Sequence, residues 1–279
     1  MLFKMVSAIK MGLVFALFYV YGSLAQAKPT ITWLEYDLAP GYIYQGENQG
    51  KGFANLASHW LQAQLPQWQH DNKLGSIPRL LALAKGSQTV CSSLLKTPER
   101  EKLLVFSEPI QTLATHRLYY LKKNQARLES IVGQPLTQAI SLHSLMKHLD
   151  KLNFAVAFGR SYGANRDEIL LQYHDSMQVS TQYRLGSQYI TRLLVDRLDF
   201  IIEYPWIIQY EQAEQDFDQQ TLGSVAIKES GAQLNVHIGC TPNELGKAVI
   251  SAINEVYNSH PDNPLQSYAD NWSYPDNAK

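Results

Sequence analysis

In the run Thr97-Pro98-Glu99-Arg100, three residues suit the start of a helix and the fourth does not. Threonine is a good N-cap, proline fits the first helical position, and glutamate suits the positive end of the helix dipole. A cation in that first turn costs about 0.3–1 kcal/mol unless an anion lies close by. Backbone N–H groups at a helix start, together with a guanidinium fork, form a good carboxylate site. The plain alternative is a surface arginine paired with Glu101, Glu108 or solvent, and physics alone leaves the two readings level.

Glu203 is the second candidate. It directly follows the apolar run Phe200 to Ile202, and ligands in open α/β sheets collect outside the carboxyl ends of strands. The alternative is a surface glutamate at a strand end. Gly159-Arg160-Ser161-Tyr162-Gly163 matches G-x-S-x-G, the pattern of a nucleophile elbow, and Asp199 or Glu203 followed by His237 would supply acid and base in the right order. His237 lies in an apparent strand, and the long hydrolase framework is not evident, both of which argue against that chemistry. Trp33, Tyr36, Tyr42 and Tyr44 could stack on a ligand or simply pack a loop. Arg79 and Arg160 could add positive charge to a cleft or stay solvated. The chain has no Walker motif, no G-x-G-x-x-G and no H-E-x-x-H, and its two cysteines are far apart, so no cofactor or metal site is indicated.

The elements that would carry these residues alternate. A strand is expected over Thr30 to Leu34, then a glycine-rich loop. A helix follows with Phe53, Leu56, Ala57, Trp60, Leu61 and Leu65 on one face, ended by Pro66. A second helix is predicted from about Ser76 to Lys85, stopped by Gly86, then a strand around Thr89 to Ser92. Leu113 to Leu121 reads as extended and Lys122 to Glu129 as a polar segment. Phe154 to Phe158 reads as a strand, Gly159 to Gly163 as a turn and Asn165 onward as a helix. Ser187 is placed to cap another helix before a strand at Phe200 to Ile202. A last strand near Asn235 to Gly239 precedes a helix with Thr241 as N-cap, Pro242 at its first position and Glu244 completing a capping box. Strand and helix in alternation predict an α/β layered protein. No internal repeat and no floppy linker interrupts it.

Composition narrows the class. Twenty-four basic residues against 25 acidic ones give a net charge of −1, which does not suit nucleic-acid phosphates. Lys4 and Lys10, the apolar run Met11 to Tyr21, and Ala25-Gln26-Ala27 read as a signal peptide covering 1–27 and cut after Ala27. That run is short for a membrane anchor, which needs about 20 apolar residues. Export to an oxidising compartment, with an even cysteine count, leads us to expect a Cys91–Cys240 disulfide. Two buried free thiols are the alternative.

The neighbourhood of Arg100 tips the balance. Thr97-Pro98-Glu99-Arg100 followed by Phe106-Ser107-Glu108-Pro109 resembles the T-x-E-R and F-S-x-P signature of family 3 extracellular solute-binding proteins, the polar-amino-acid type of periplasmic binding protein. Gly50-Lys51-Gly52-Phe53 resembles that family's step into its first helix, and Arg197 to Glu203 resembles its G-R-x-D-x-x-x-D strand. The likeness runs from Ile31 to about Trp272. It implies an α/β, two-lobed type II periplasmic-binding-protein fold with two strand crossovers, with lobe 1 over 28–115 and 236–279 and lobe 2 over 116–235. It also implies a ligand set of Arg100 and Thr97 on a carboxylate, the turn at Ser161, Tyr162 and Gly163 assisting, Glu203 facing a cationic group, and Tyr36 and Ser93 nearby. Leu95 and Ala54 depart from the family pattern where threonine and aspartate are usual, so the ligand need not be a standard amino acid. A cysteine before the signature and another before the last helix, as Cys91 and Cys240 stand, match a subgroup of the family. The expected protein is a monomeric periplasmic solute-binding protein that closes on a small anionic or amino-acid-like molecule and is read by an inner-membrane permease or a sensor receptor. The alternative is a dehydratase- or lyase-like enzyme on the same scaffold, with Glu203 as general acid.

Overall fold

The computed structural model describes residues 27–180, 187–218 and 220–272, so the expected signal peptide falls almost wholly outside the described residues. The chain runs through β1 (Thr30–Tyr36), α1 (Phe53–Gln64), β2 (Gln69–Gly75), α2 (Ile77–Leu83), β3 (Val90–Leu95), α3 (Pro98–Glu101), β4 (Val105–Phe106) and β5 (Gln111–Ala114). It continues with β6 (Arg117–Leu121), α4 (Gln125–Val132), α5 (Leu142–Met146), β7 (Ala155–Ala157), α6 (Ala164–Gln172), β8 (Gln178–Ser180), α7 (Ser187–Leu194), β9 (Ile201–Glu203), α8 (Pro205–Gln215) and β10 (Leu222–Ala226). Last come β11 (Gln233–Cys240), α9 (Glu244–Ser259) and α10 (Leu265–Asp270).

Two sheets divide these strands. The first has the order β2-β1-β3-β11-β4, with β5 also paired to β11. β1 is parallel to β2 and β3, and β11 runs antiparallel to β3, β4 and β5. The second joins β10, β6 and β9 in antiparallel register and carries the parallel pair β7 and β8, linked to it by a bridge between Phe154 and Phe200. The chain therefore crosses between sheets twice, from β5 to β6 and from β10 back to β11. These two crossovers make a two-lobed α/β molecule.

β1 shows why the first lobe is layered. Its residues Ile31 to Leu34 are buried on both faces, as a parallel strand covered by helices requires. Ile31 and Trp33 pack with Val249 and Ile253 of α9, whereas Leu34 packs with Ala54 of α1 and Leu80 of α2. Trp33 thus lies on the far side from Tyr36, and its Nε1 donates to His70 Nδ1 at 3.0 Å, so it is a core residue and no ligand platform.

Several expectations need correction. β2, Gln-His-Asp-Asn-Lys-Leu-Gly, was not foreseen because an edge strand with mostly exposed side chains carries no apolar alternation. The polar segment Lys122 to Glu129 becomes largely helix α4. The extended stretch Leu113 to Leu121 is two strands in two sheets, broken at Thr115–His116. Ser187 is the first described residue of α7, and what precedes it lies outside the described residues. The cap of α9 is Asn243, whose side chain accepts from Gly246 N at 2.8 Å. Thr241, the expected cap, instead accepts at its hydroxyl from Val90 N at 3.1 Å, tying the chain to β3 before the helix starts. Cys91 and Cys240 stand opposite each other on β3 and β11, with their sulfurs 2.06 Å apart.

Candidate functional site

The loop between β3 and α3 delivers Arg100. Thr97 Oγ1 accepts from Arg100 N at 3.3 Å and Pro98 opens the helix, as the residue types require. But α3 is a single turn of four residues, too short for the helix field to matter much. What is unusual about Arg100 is its burial, 6% exposed, with no ion pair among the described residues. Its guanidinium donates to Leu95 O at 2.8 Å and, across the gap between lobes, to Gly159 O at 3.2 Å. Burial lowers it from the ordinary arginine value, because two carbonyls do not replace the hydration of a full charge.

The second lobe brings up the turn between β7 and α6. Gly159 and Gly163 both have left-handed backbone, φ +75° and +99°, which glycine adopts without strain. A Cβ on Gly159 would sit 2.7 Å from Pro78 of α2, so the turn lies against the first lobe. Ser161 Oγ donates to Asp167 in a short hydrogen bond, Tyr162 N donates to Asp167 Oδ1 at 2.7 Å, and Gly163 N donates to Ser161 Oγ at 3.1 Å. The Tyr162 and Gly163 amides expected to meet a ligand are thus taken up within the turn, the first by the acid of α6 and the second by Ser161. Burial raises the Asp167 carboxyl, and these donors pull it part of the way back. His237 bonds Ser107 O at 2.8 Å within the first lobe, so no serine–histidine pair forms and the nucleophile-elbow reading is overturned.

Glu203, at the end of β9, does not face an unanswered position. Arg160 from the same turn grips it through both guanidinium nitrogens, Nη1 to Oε2 at 2.7 Å and Nη2 to Oε1 closer still. The two side chains are 4% and 1% exposed, and Tyr204 N adds a third bond to the carboxylate at 2.8 Å. The guanidinium also lies over the rings of Tyr162 and Tyr204, 5.1 and 5.4 Å from their centroids. Burial by itself would lower Arg160, yet the carboxylate opposite holds it above the ordinary arginine value. The pair was not legible beforehand, since residues 160 and 203 are far apart in sequence and both types usually sit at the surface.

Aromatic residues close the rest of the cleft. Tyr36 donates from its hydroxyl to Ser93 O at 2.9 Å and meets Tyr42 edge-on. Burial pushes the Tyr36 and Tyr42 hydroxyls up. Phe53 of α1 meets Trp206 of α8 edge-to-face at 5.1 Å, a contact between lobes, and Trp206 stacks on Tyr204 at 4.5 Å. Between them lies a cavity of about 50 Å³, lined by Tyr36, Ser93, Leu95, Tyr204 and Trp206 among others. Tyr44 faces away, donating to Glu35 at 3.0 Å, and Arg79 is exposed on α2. A wider groove of about 870 Å³ opens elsewhere along the lobe junction, lined by Asp37, Tyr210, Glu211 and Glu214 among others, but by none of the cleft arginines. Sequence reasoning missed Tyr204, Trp206 and His116. Tyr204 and Trp206 directly follow the strand-end Glu203, so the strand-end rule extended by three residues would have found them.

Set beside solved structures, the chain has a type II periplasmic-binding-protein fold. It is similar to the amino-acid ABC transporter substrate-binding protein AbpA from Streptococcus pneumoniae, bound to L-arginine, with a TM-score of 0.62 and 15% identity, covering 88% of this chain and 94% of that one. A histidine kinase sensor domain with similarity to periplasmic binding proteins gives 0.63 and 11% over 88% and 96%. An arginine-specific periplasmic binding protein from Salmonella typhimurium gives 0.61 and 14% over 88% and 100%. No family model matches the chain, and no curated protein matches it in sequence. No helix among the described residues is long and apolar enough to cross a membrane.

Proposed function

We propose that this chain is an exported, periplasmic solute-binding protein whose lobes, 28–115 with 236–279 and 116–235, close on a small anionic ligand. A permease of the ABC type or a membrane sensor would read the closed form. The observation that carries this reading is Arg100: a buried guanidinium with no carboxylate partner among the described residues, set between the lobes and held by one backbone carbonyl from each. Such a charge is costly to bury unpaired, and a ligand carboxylate would answer it with two charge-assisted bonds. Thr97, Ser93 and Tyr36 belong to the same face of the cleft, and the turn at Ser161, Tyr162 and Gly163 closes over it from the other lobe. Similar structures are described as binding amino acids for transport or as sensor domains, which agrees with either partner. The signal peptide supports export, and export supports a bond between Cys91 and Cys240.

A dehydratase- or lyase-like role needs Glu203 free to give and take a proton, but Arg160 and Tyr204 N occupy its oxygens. The binding reading is therefore the one we carry forward. Calorimetric titration of carboxylate ligands into the mature chain tests it. Arg100→Ala should lower affinity by about 2–5 kcal/mol, a loss of thirtyfold or more. Equal affinity in the variant and the parent would refute the assignment.

A further inference from the structure

The charges that line the cleft restrict the ligand further. Three guanidiniums, those of Arg100, Arg160 and Arg166, stand near two carboxylates, those of Glu203 and Asp167. Glu203 is answered from within by Arg160. Asp167 is answered by Ser161 and by the Tyr162 amide. Arg166 donates to the Tyr162 and Glu229 carbonyls and to Ser230 Oγ. Among the described residues neither Arg166 nor Arg100 has an ion pair, but Arg166 has three acceptors, whereas the Arg100 guanidinium has only the carbonyls of Leu95 and Gly159.

Resting on the binding function proposed above, we infer that the ligand is a carboxylate without an ammonium group, carried on an apolar or aromatic body. An arriving ammonium finds no acid to accept it, because the Arg160–Glu203 pair is already closed, shielded from solvent and bonded through both oxygens. Separating that pair leaves two buried charges unpaired, which is among the more costly changes a protein interior can suffer. A single negative charge, by contrast, neutralises the Arg100 guanidinium, which has only two carbonyls for partners. The body follows from the walls: Tyr36, Phe53, Leu95, Leu113 and Trp206 surround the cavity, and Leu95 is also the residue whose carbonyl Arg100 holds. Trp206 Nε1–H, buried and without an acceptor among the described residues, supplies one further donor to an oxygen of the ligand.

Matched pairs that differ only in the ammonium group test this: 3-phenylpropanoate against phenylalanine, 4-methylpentanoate against leucine, and glutarate against glutamate. L-arginine is added as a cationic competitor for the position of Arg160. Each is titrated calorimetrically into the mature chain. The plain acid should bind more tightly than its amino counterpart, by on the order of a hundredfold in the aromatic and aliphatic pairs. Arg160→Gln, which leaves Glu203 unanswered, should narrow or reverse that preference. Should this variant fail to fold, the doubly neutral Arg160→Gln/Glu203→Gln chain keeps the shape of the pair and should retain the preference of the parent. Tighter binding of phenylalanine, leucine or arginine than of any plain acid would overturn the inference and leave the solute-binding function standing. Binding of no member of any pair would overturn both.

Discussion

Asn243 and Thr241 stand two places apart before α9, and Asn243 does the capping work first expected of Thr241. Asn243 holds the first turn through Gly246 N, while Thr241 Oγ1 receives the Val90 amide at the start of β3. Asn243→Ala should lower unfolding stability by about 1 kcal/mol, the usual worth of a cap. Thr241→Ala leaves a buried amide without its acceptor and should cost about 1–3 kcal/mol. Urea midpoints of the two variants check the order. At this scale the sequence is readable where one residue's chemistry settles its role. Thr97 and Pro98 do start a helix, and Glu203 does end a strand. It is unreadable where the role depends on a partner that the fold brings from elsewhere, as with Arg160. It also misleads where an argument assumes an element longer than the one that forms, as the dipole argument did for the single turn that carries Arg100.

Among the elements, the passage from β5 to β6 has the most to say about movement. His116 lies there with its ring wholly buried, tilted by 31° at 3.7 Å from the ring of Tyr204 and by 57° at 5.3 Å from that of Tyr162. Neither ring nitrogen has a hydrogen-bond partner among the described residues. Burial, with Arg160 and Arg166 close by, holds the imidazole well below its ordinary value of 6.5, so it is neutral in the closed molecule. Burial also pushes the neighbouring Tyr204 hydroxyl up to about 12. The sign follows from linkage. Above 6.5 the ring is neutral whether the protein is folded or not and contributes no pH dependence. Below 6.5 the unfolded or opened chain takes up a proton that the closed fold refuses, so stability falls by up to about 1.4 kcal/mol per pH unit. Glu35, Asp167 and Glu211, whose carboxyls burial raises, act with the opposite sign between their raised folded values and their ordinary ones. The difference between the parent and His116→Phe isolates the histidine: equal or better stability of the variant at pH 7.5, and a growing advantage from pH 6.5 to 5. Parallel curves would show that the ring protonates in place. The alternation of strand and helix was legible from apolar spacing, whereas β2 and α4 were not, because one is a polar edge strand and the other arises within a polar run.

At the scale of the whole molecule, the first lobe is assembled from both ends of the described chain, with β11 inserted between β3 and β4. A bond between Cys91 and Cys240 would tie those ends together at the centre of the sheet. Cys91→Ala/Cys240→Ala should then lose about 2–5 kcal/mol of stability, measured by denaturant unfolding with and without reductant. An unchanged midpoint in reductant would mean that the thiols stay apart. The two lobes also meet in earnest, through Arg100 on Gly159, Gly159 on Pro78 and Phe53 on Trp206. The cavity they leave, about 50 Å³, is far smaller than the several hundred cubic ångströms that a small molecule usually needs. On the proposed function, a solute therefore cannot simply drop into a waiting seat. It must wait for the jaws to part, so its capture rate levels off at high concentration to the rate at which the protein gapes unaided. The contact of Arg100 with Gly159 that holds the lobes together would then also set the tempo of recognition.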